Sequence, residues 1–233
     1  IADKYNYCRP EIVENNETRE NRDTHNNNEN HNNETRENRD THKSYMDAKG
    51  LRHALIEHIQ QTELYVANDI CIGKGEDGIL LFGTNAVGKT SLIRSVGIVA
   101  IMAQAGMYVP CSSIKYKPYT SIFSRILGND NLFKGLSTFA VEMSELRTIL
   151  RHADSGSLIL GDELCSGTET ESALSIFMAA LMHLHTKQAS FLFATHFHEI
   201  VKYDEIQSLP RLAMKHLSVY FDRERDCLVY DRV

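Results

Sequence analysis

The sequence predicts an α/β domain, with a mainly parallel central sheet flanked by helices and a smaller antiparallel β part. Three observations carry this. From Tyr45 onward, short β-prone apolar runs alternate with stretches of helical length, the pattern of a parallel sheet with helices on its faces. The string Gly83-Thr-Asn-Ala-Val-Gly88-Lys89-Thr90 joins one such run to the stretch that follows it. Towards the C-terminal end, Leu217 to Val229 reads as two runs folded back on each other around a polar turn at Asp222 to Asp226, a hairpin. With 233 residues, 42% of them hydrophobic, the chain can bury one sizeable core, so one domain with appendages is the expected organisation.

Taken in order, residues 1–13 open the domain and residues 14–43 interrupt it. The interruption is almost wholly Asn, Glu, Arg, Thr, Asp and His, with no aliphatic residue after Val13 until Met46, so burial cannot offset the entropy of ordering it. Within it NNETRENRDTH occurs at Asn15 to His25 and again at Asn32 to His42. Solenoid repeats must bury a face against their neighbours. This repeat has no face to bury and reads as a duplicated low-complexity insertion in a disordered surface loop. Its histidines and acids are assigned no metal site, because nothing holds their geometry.

Residues 44–233 carry the rest of the domain. Asp69 to Gly73 and Gly78 to Gly83 are short, β-prone and glycine-bounded, as strands should be. The apolar-rich stretch from Lys89 to about Met107 reads as a buried helix. Phe139, Met143, Leu146 and Leu150 recur at spacings of four, three and four, which places them on one face of a helix starting near Ser137. Leu158 to Leu160 reads as a buried strand, Thr168 to Thr186 as a helix and Phe191 to Ala194 as another strand.

Charge and cysteine usage narrow the function classes. A net charge of -6 offers no general attraction to a polyanion, so the chain lacks the basic face of an autonomous nucleic-acid-binding domain. The five cysteines (Cys8, Cys71, Cys111, Cys165, Cys227) show no C-x-x-C pair and no zinc-finger spacing, which fits a reduced intracellular compartment. No apolar run reaches bilayer length, and the opening IADKYNYCRP has neither a methionine nor a signal pattern. The expectation is a soluble, non-membrane fragment of something longer.

Three motifs carry chemistry. Gly83 to Thr90 satisfies G-x-x-x-x-G-K-[ST] between an expected strand and an expected helix, the context that confirms a phosphate-binding loop. Its glycines let backbone N–H groups approach phosphates, the helix N-terminus adds its positive end, Lys89 reaches the β- and γ-phosphates, and Thr90 can ligate Mg²⁺. About seventy residues on, Ser157-Leu-Ile-Leu-Gly-Asp162-Glu163 sets two carboxylates at the end of a buried strand, where a parallel sheet gathers its ligand groups. Asp162 would hold Mg²⁺ and Glu163 would orient or deprotonate the attacking water, since phosphoryl transfer asks a protein mainly for positioning and charge. His196, in Phe193-Ala-Thr-His196-Phe-His198, stands just past another strand, where its ring could sense the γ-phosphate.

In this order the motifs resemble an ATP-binding-cassette type P-loop ATPase, and the residues between them resemble one family, the MutS proteins of DNA mismatch repair. Leu51-Arg-His53-Ala-Leu-Ile-Glu57, Tyr65-Val-Ala-Asn68-Asp69-Ile70, Ser137-Thr-Phe-Ala-Val-Glu142-Met143, Asp162-Glu163 with Gly167-Thr168, and Ala194-Thr-His196-Phe all look like segments of that family. The resemblance implies an ATP/ADP site formed by Gly83, Thr84, Asn85, Ala86, Val87, Gly88, Lys89, Thr90 and Ser91, with Tyr65 stacking on the adenine and Asn68 beside it. It implies Mg²⁺ on Thr90 and Asp162, and catalysis by Glu163, His196 and Lys89. Ser137 would reach the ATP of a second copy, so hydrolysis would depend on dimerisation and be coupled to a clamp on DNA held by other domains. Such a protein would work in a DNA-containing compartment, the cytoplasm or a virus factory.

Thr84, Ala86 and Val87 replace the Pro, Met and Gly of the commoner loop, and Cys165-Ser166 stands where Gly-Arg is usual. With the Asn-rich insertion, these departures look like the divergent MutS branch of large DNA viruses and some bacteria. A transporter subunit is the rival within the class, but no L-S-G-G-Q signature is present. An ATPase of recombination control and a slow-turnover nucleotide-dependent dimerisation module are the other readings, and Glu163 argues against the last.

Overall fold

A computed structural model describes residues 2–13, 43–59, 65–83, 88–126, 138–165, 168–222 and 227–231. The 14–42 repeat segment, the loop residues Thr84, Asn85, Ala86 and Val87, and Ser137 lie outside them. Five strands form a parallel sheet in the order β6 (Ser121–Arg125), β7 (Ser157–Asp162), β8 (Ser190–Ala194), β4 (Gly78–Phe82) and β9 (Leu212–His216). The interior strands β4, β7 and β8 are buried at every position, which is why they read as unbroken apolar runs and not as alternating ones.

Side chains on a strand alternate between faces, and the core divides accordingly. Ile79 and Leu81, Leu158 and Leu160, and Leu192 and Ala194 point to one face, where they meet Leu92, Val96 and Val99 of helix α3 (Lys89–Gln104). Leu80, Phe82, Ile159, Phe191 and Phe193 point to the other, against Leu146 and Ile149 of α4 (Thr138–His152) and Phe177 and Leu181 of α5 (Thr170–Thr186). The helix predicted to run to about Met107 stops at Gln104 because Gly106 turns left-handed at φ 74°. The Met107 amide then bonds to Met102 O and the Gly106 amide to Ala103 O, the closure of a Schellman motif.

The antiparallel part is larger than the predicted hairpin. A second sheet has the order β1 (Glu11–Ile12), β5 (Ser113–Lys117), β2 (Tyr45–Leu51) and β3 (Asn68–Ile72), with β2 antiparallel to both neighbours. The strand expected at Asp69 to Gly73 belongs to this sheet and not to the parallel one. Met46, Ala48, Ile70, Ile72, Ile114 and Tyr116 close it over the α3 side of the core. The hairpin itself is β10 (Ser218–Asp222) paired antiparallel with β11 (Cys227–Asp231). Short helices α1 (Ala2–Tyr5), α2 (Ile56–Ile59) and α6 (Asp204–Gln207) complete the described elements, with a 3₁₀ turn at His198–Lys202.

Candidate functional site

The carboxyl ends of β7, β8, β4 and β9 lie side by side, with Asp162 opposite Ala194, Ala194 opposite Leu81, and Phe82 opposite His216. Ligands of open parallel sheets gather at this edge. The ladder continues past the strand ends: the Thr195 amide donates to Leu81 O at 3.1 Å, the Glu163 amide to Ala194 O at 3.0 Å and the Leu217 amide to Phe82 O at 3.0 Å. Thr195, Glu163 and Leu217, one residue beyond their strands, are therefore each tied to the neighbouring strand.

Six of the sequence-predicted residues, Gly83, Gly88, Lys89, Thr90, Ser91 and Asp162, lie here. Gly88 adopts φ 93°, ψ 16° and opens α3 with no side chain capping it, so the first-turn amides and the helix dipole face the loop. Lys89, only 6% exposed, donates its ammonium to Gly83 O at 2.5 Å, closing the loop across its base. The Thr90 hydroxyl donates to Asp162 Oδ2, bringing together two residues 72 positions apart on α3 and β7. Ser91 follows in the first turn, its carbonyl accepting the Ser95 hydroxyl at 2.7 Å. Thr90 and Asp162 present hard oxygen donors at one point, the donor type that Mg²⁺ prefers.

Beyond Asp162 the chain turns sharply, with Glu163 at φ 52° and Cys165 at φ 65°. Glu163 is half-buried, and the Cys165 amide donates to Glu142 Oε1 at 2.6 Å. His196 is exposed, its ring 4.5 Å from that of Phe197. Tyr65 is half-buried against α3, its hydroxyl 3.1 Å from Ser95 Oγ. Asn68 is buried, its amide donating to Val66 O at 3.0 Å.

A cavity of about 450 Å³ lies between the first turn of α3, the start of β3 and the end of β9. Asn68, Leu81, Leu92, Lys215, His216 and Leu217 line it, whereas Tyr65 does not. Of these only Asn68 was among the sequence-predicted site residues, and His216 is the lining residue with a ring that sequence reasoning missed. Its ring lies 5.8 Å from Phe82 and 6.3 Å from His198, nearly parallel to the latter at 12°. The signal was weak: β9 is an edge strand exposed on alternate residues, and a lone histidine at its end stands out only once β9 is known to adjoin β4.

These features define a parallel α/β domain whose strand ends offer an ammonium, an uncapped helix terminus and an oxygen pair beside a ring-lined cavity, an arrangement that can hold a phosphate-bearing ligand. Residues 79–232 match MutS domain V. A putative DNA mismatch repair protein mutS homolog of Acanthamoeba polyphaga mimivirus is 35% identical over 267 aligned positions, covering 100% of this chain and 22% of that protein. The mitochondrial mutS homolog of Sarcophyton glaucum is 42% identical over 82% of this chain and 19% of its own length. DNA mismatch repair protein MutS of Lactobacillus delbrueckii subsp. bulgaricus is 37% identical over 81% and 22%. The chain belongs to the MutS family, and it spans about a fifth of the length of these relatives.

Among the described residues no helix is long and apolar enough to cross a membrane.

Proposed function

We propose that this chain is a P-loop ATPase module of the ATP-binding-cassette type, hydrolysing ATP to ADP and phosphate within a MutS-like mismatch-recognition protein. The observation that carries the reading is the meeting of Thr90 and Asp162 beside Lys89 at the uncapped start of α3. ATP would lie with its phosphates against Gly83 to Ser91 and its base in the cavity with Asn68 and His216, while Tyr65 stands outside that lining with its hydroxyl beside Ser95 of α3. Bound Mg²⁺, held through Thr90 and Asp162, would neutralise phosphate charge. Lys89 would exchange Gly83 O for the β- and γ-phosphates. Glu163 would take a proton from water as its oxygen bonds to the γ-phosphorus, while the bond to the β–γ bridging oxygen breaks and ADP leaves. His196, exposed at the same edge, would sense the γ-phosphate.

The pairing part of the proposal follows from Ser137, which would complete the site of a second copy. Contact with DNA would belong to other domains of the full-length protein. Similarity to the mimivirus protein along the whole chain supports the divergent viral-type branch.

Steady-state phosphate release from wild type and Glu163→Gln tests the chemistry, with light scattering in Mg²⁺ and ATP run alongside. A loss of at least about 100-fold in kcat is expected for a general base, together with an ATP-dependent dimer of the inactive variant. Undiminished release would remove Glu163 from the mechanism. Dimerisation by a wild type with no turnover would favour a nucleotide-dependent clamp module instead.

A further inference from the structure

Glu142 is a buried carboxylate that the proposed chemistry does not use. It sits five residues into α4 and is 4% exposed. Burying a carboxylate is costly unless a defined partner holds it. Here its Oε1 accepts the Cys165 amide at 2.6 Å, two residues past Glu163. The Glu163–Leu164–Cys165 turn contains two non-glycine residues with left-handed φ, 52° and 65°, a region that L-residues populate sparsely. Two bonds hold the turn there: Glu163 N–H to Ala194 O on β8 at its start, and Cys165 N–H to Glu142 on α4 at its end. Leu164 and Cys165 are buried on the α4–α5 side of the sheet.

We infer that Glu142 is a positioning residue for Glu163, locking the turn after β7 in the conformation that presents the general base. This rests on the reading of Glu163 given above. Without the Glu142 bond, the Cys165 amide loses its acceptor and the turn can relax towards right-handed φ, swinging Glu163 away from the water it should activate. Because α4 begins directly after Ser137, the same bond ties the base to the helix that follows the segment proposed to meet a second copy's nucleotide.

The test measures single-turnover hydrolysis of ATP and affinity for a fluorescent ATP analogue in Glu142→Ala, Glu142→Gln, Glu142→Asp and Glu163→Gln. Glu142→Ala should slow hydrolysis at least tenfold with nucleotide Kd within twofold. Glu142→Gln, whose amide oxygen can accept the same N–H, should stay within threefold of wild type. Added to Glu163→Gln, Glu142→Ala should cost nothing further, because it acts through a side chain already removed. The inference is overturned if Glu142→Ala hydrolyses within twofold of wild type, if Kd worsens in step with the rate, or if the double variant loses another tenfold. If Glu142→Ala does not fold, Glu142→Asp decides. Shorter by one methylene, it should show the slowing that Glu142→Gln does not, and equal rates for the two overturn the inference. An inactive Glu163→Gln beside an unaffected Glu142→Ala removes only the positioning role, whereas an active Glu163→Gln removes both assignments.

Discussion

Asp77→Ala perturbs the fold at the end of the sheet opposite the candidate site. Asp77 stands just before β4, its side chain 5% exposed, and its Oδ1 lies 2.5 Å from the ammonium of Lys43, which is 4% exposed. The same oxygen accepts Arg211 Nε at 2.7 Å, and the guanidinium also donates to Lys74 O at 3.0 Å. One carboxylate thus joins the last residue of the polar insertion to the starts of β4 and β9. Removing one partner of a buried ion pair costs about 3–5 kcal/mol, because the other charge stays desolvated. Arg211, about a third exposed, can turn to water and adds at most about 1 kcal/mol. For a chain of this length each kcal/mol lowers Tm by about 2–4 °C, so a drop of about 6–24 °C is expected. Thermal unfolding followed by circular dichroism measures it, with nucleotide affinity well below Tm expected to stay within twofold. Adding Lys43→Met to Asp77→Ala should recover more than half of the loss, since replacing both partners by apolar groups is far cheaper than orphaning one. A shift under 2 °C, or no recovery in the double variant, would refute the reasoning.

Three further outcomes follow from the structure. Burial, reinforced by the charge of Arg94, holds the His53 pKa below the ordinary histidine value, and its Nδ1 accepts the Leu55 and Ile56 amides at 3.2 and 3.3 Å. The unfolded chain takes up that proton near pH 6.5 and the folded one resists it, so stability should fall as pH drops below about 6.5, by up to about 1.4 kcal/mol per pH unit. Urea midpoints at pH 7.5 and 5.5 check this, and an identical pH dependence in His53→Ala would count against it. Burial pushes the Cys111 and Cys165 thiols up to about 12, so iodoacetamide at pH 8 should label neither until the chain unfolds. Peptide mapping after a timed pulse reads this, and native labelling of Cys165 at the unfolded rate contradicts it. His216→Ala removes a ring from the cavity wall, and the lost stacking of about 0.5–1.5 kcal/mol should weaken ATP binding about 2- to 13-fold with kcat at saturation little changed. An unaltered Kd would show that the base binds elsewhere.

Local pattern alone carried much of this protein. β4, β7 and β8 are interior parallel strands, so nearly every residue is apolar and each run announces itself, while α4 reveals its buried face through helical spacing. Lys89, Thr90, Asp162 and Glu163 stand out as candidate site residues because their residue types are concentrated at the ends of those same runs. The strands at Tyr45–Leu51, Ser113–Lys117 and Leu212–His216 were not legible, since a strand exposed on one face or at an edge carries only half the apolar signal. Pairings between distant residues were also out of reach: Glu142 with the Cys165 amide, Tyr65 with Ser95, and Asp77 with Lys43 and Arg211. The sequence by itself determined which segments are strand or helix in the core and which residues at their ends are candidates for a phosphate site, because both follow from neighbours along the chain. Only the tertiary structure decided that β9 lies beside β4 and brings His216 to the cavity, and that α4 lends a carboxylate to the turn after β7. Strand order and helix docking are chosen by the free energy of packing the whole core, to which no single segment holds the key.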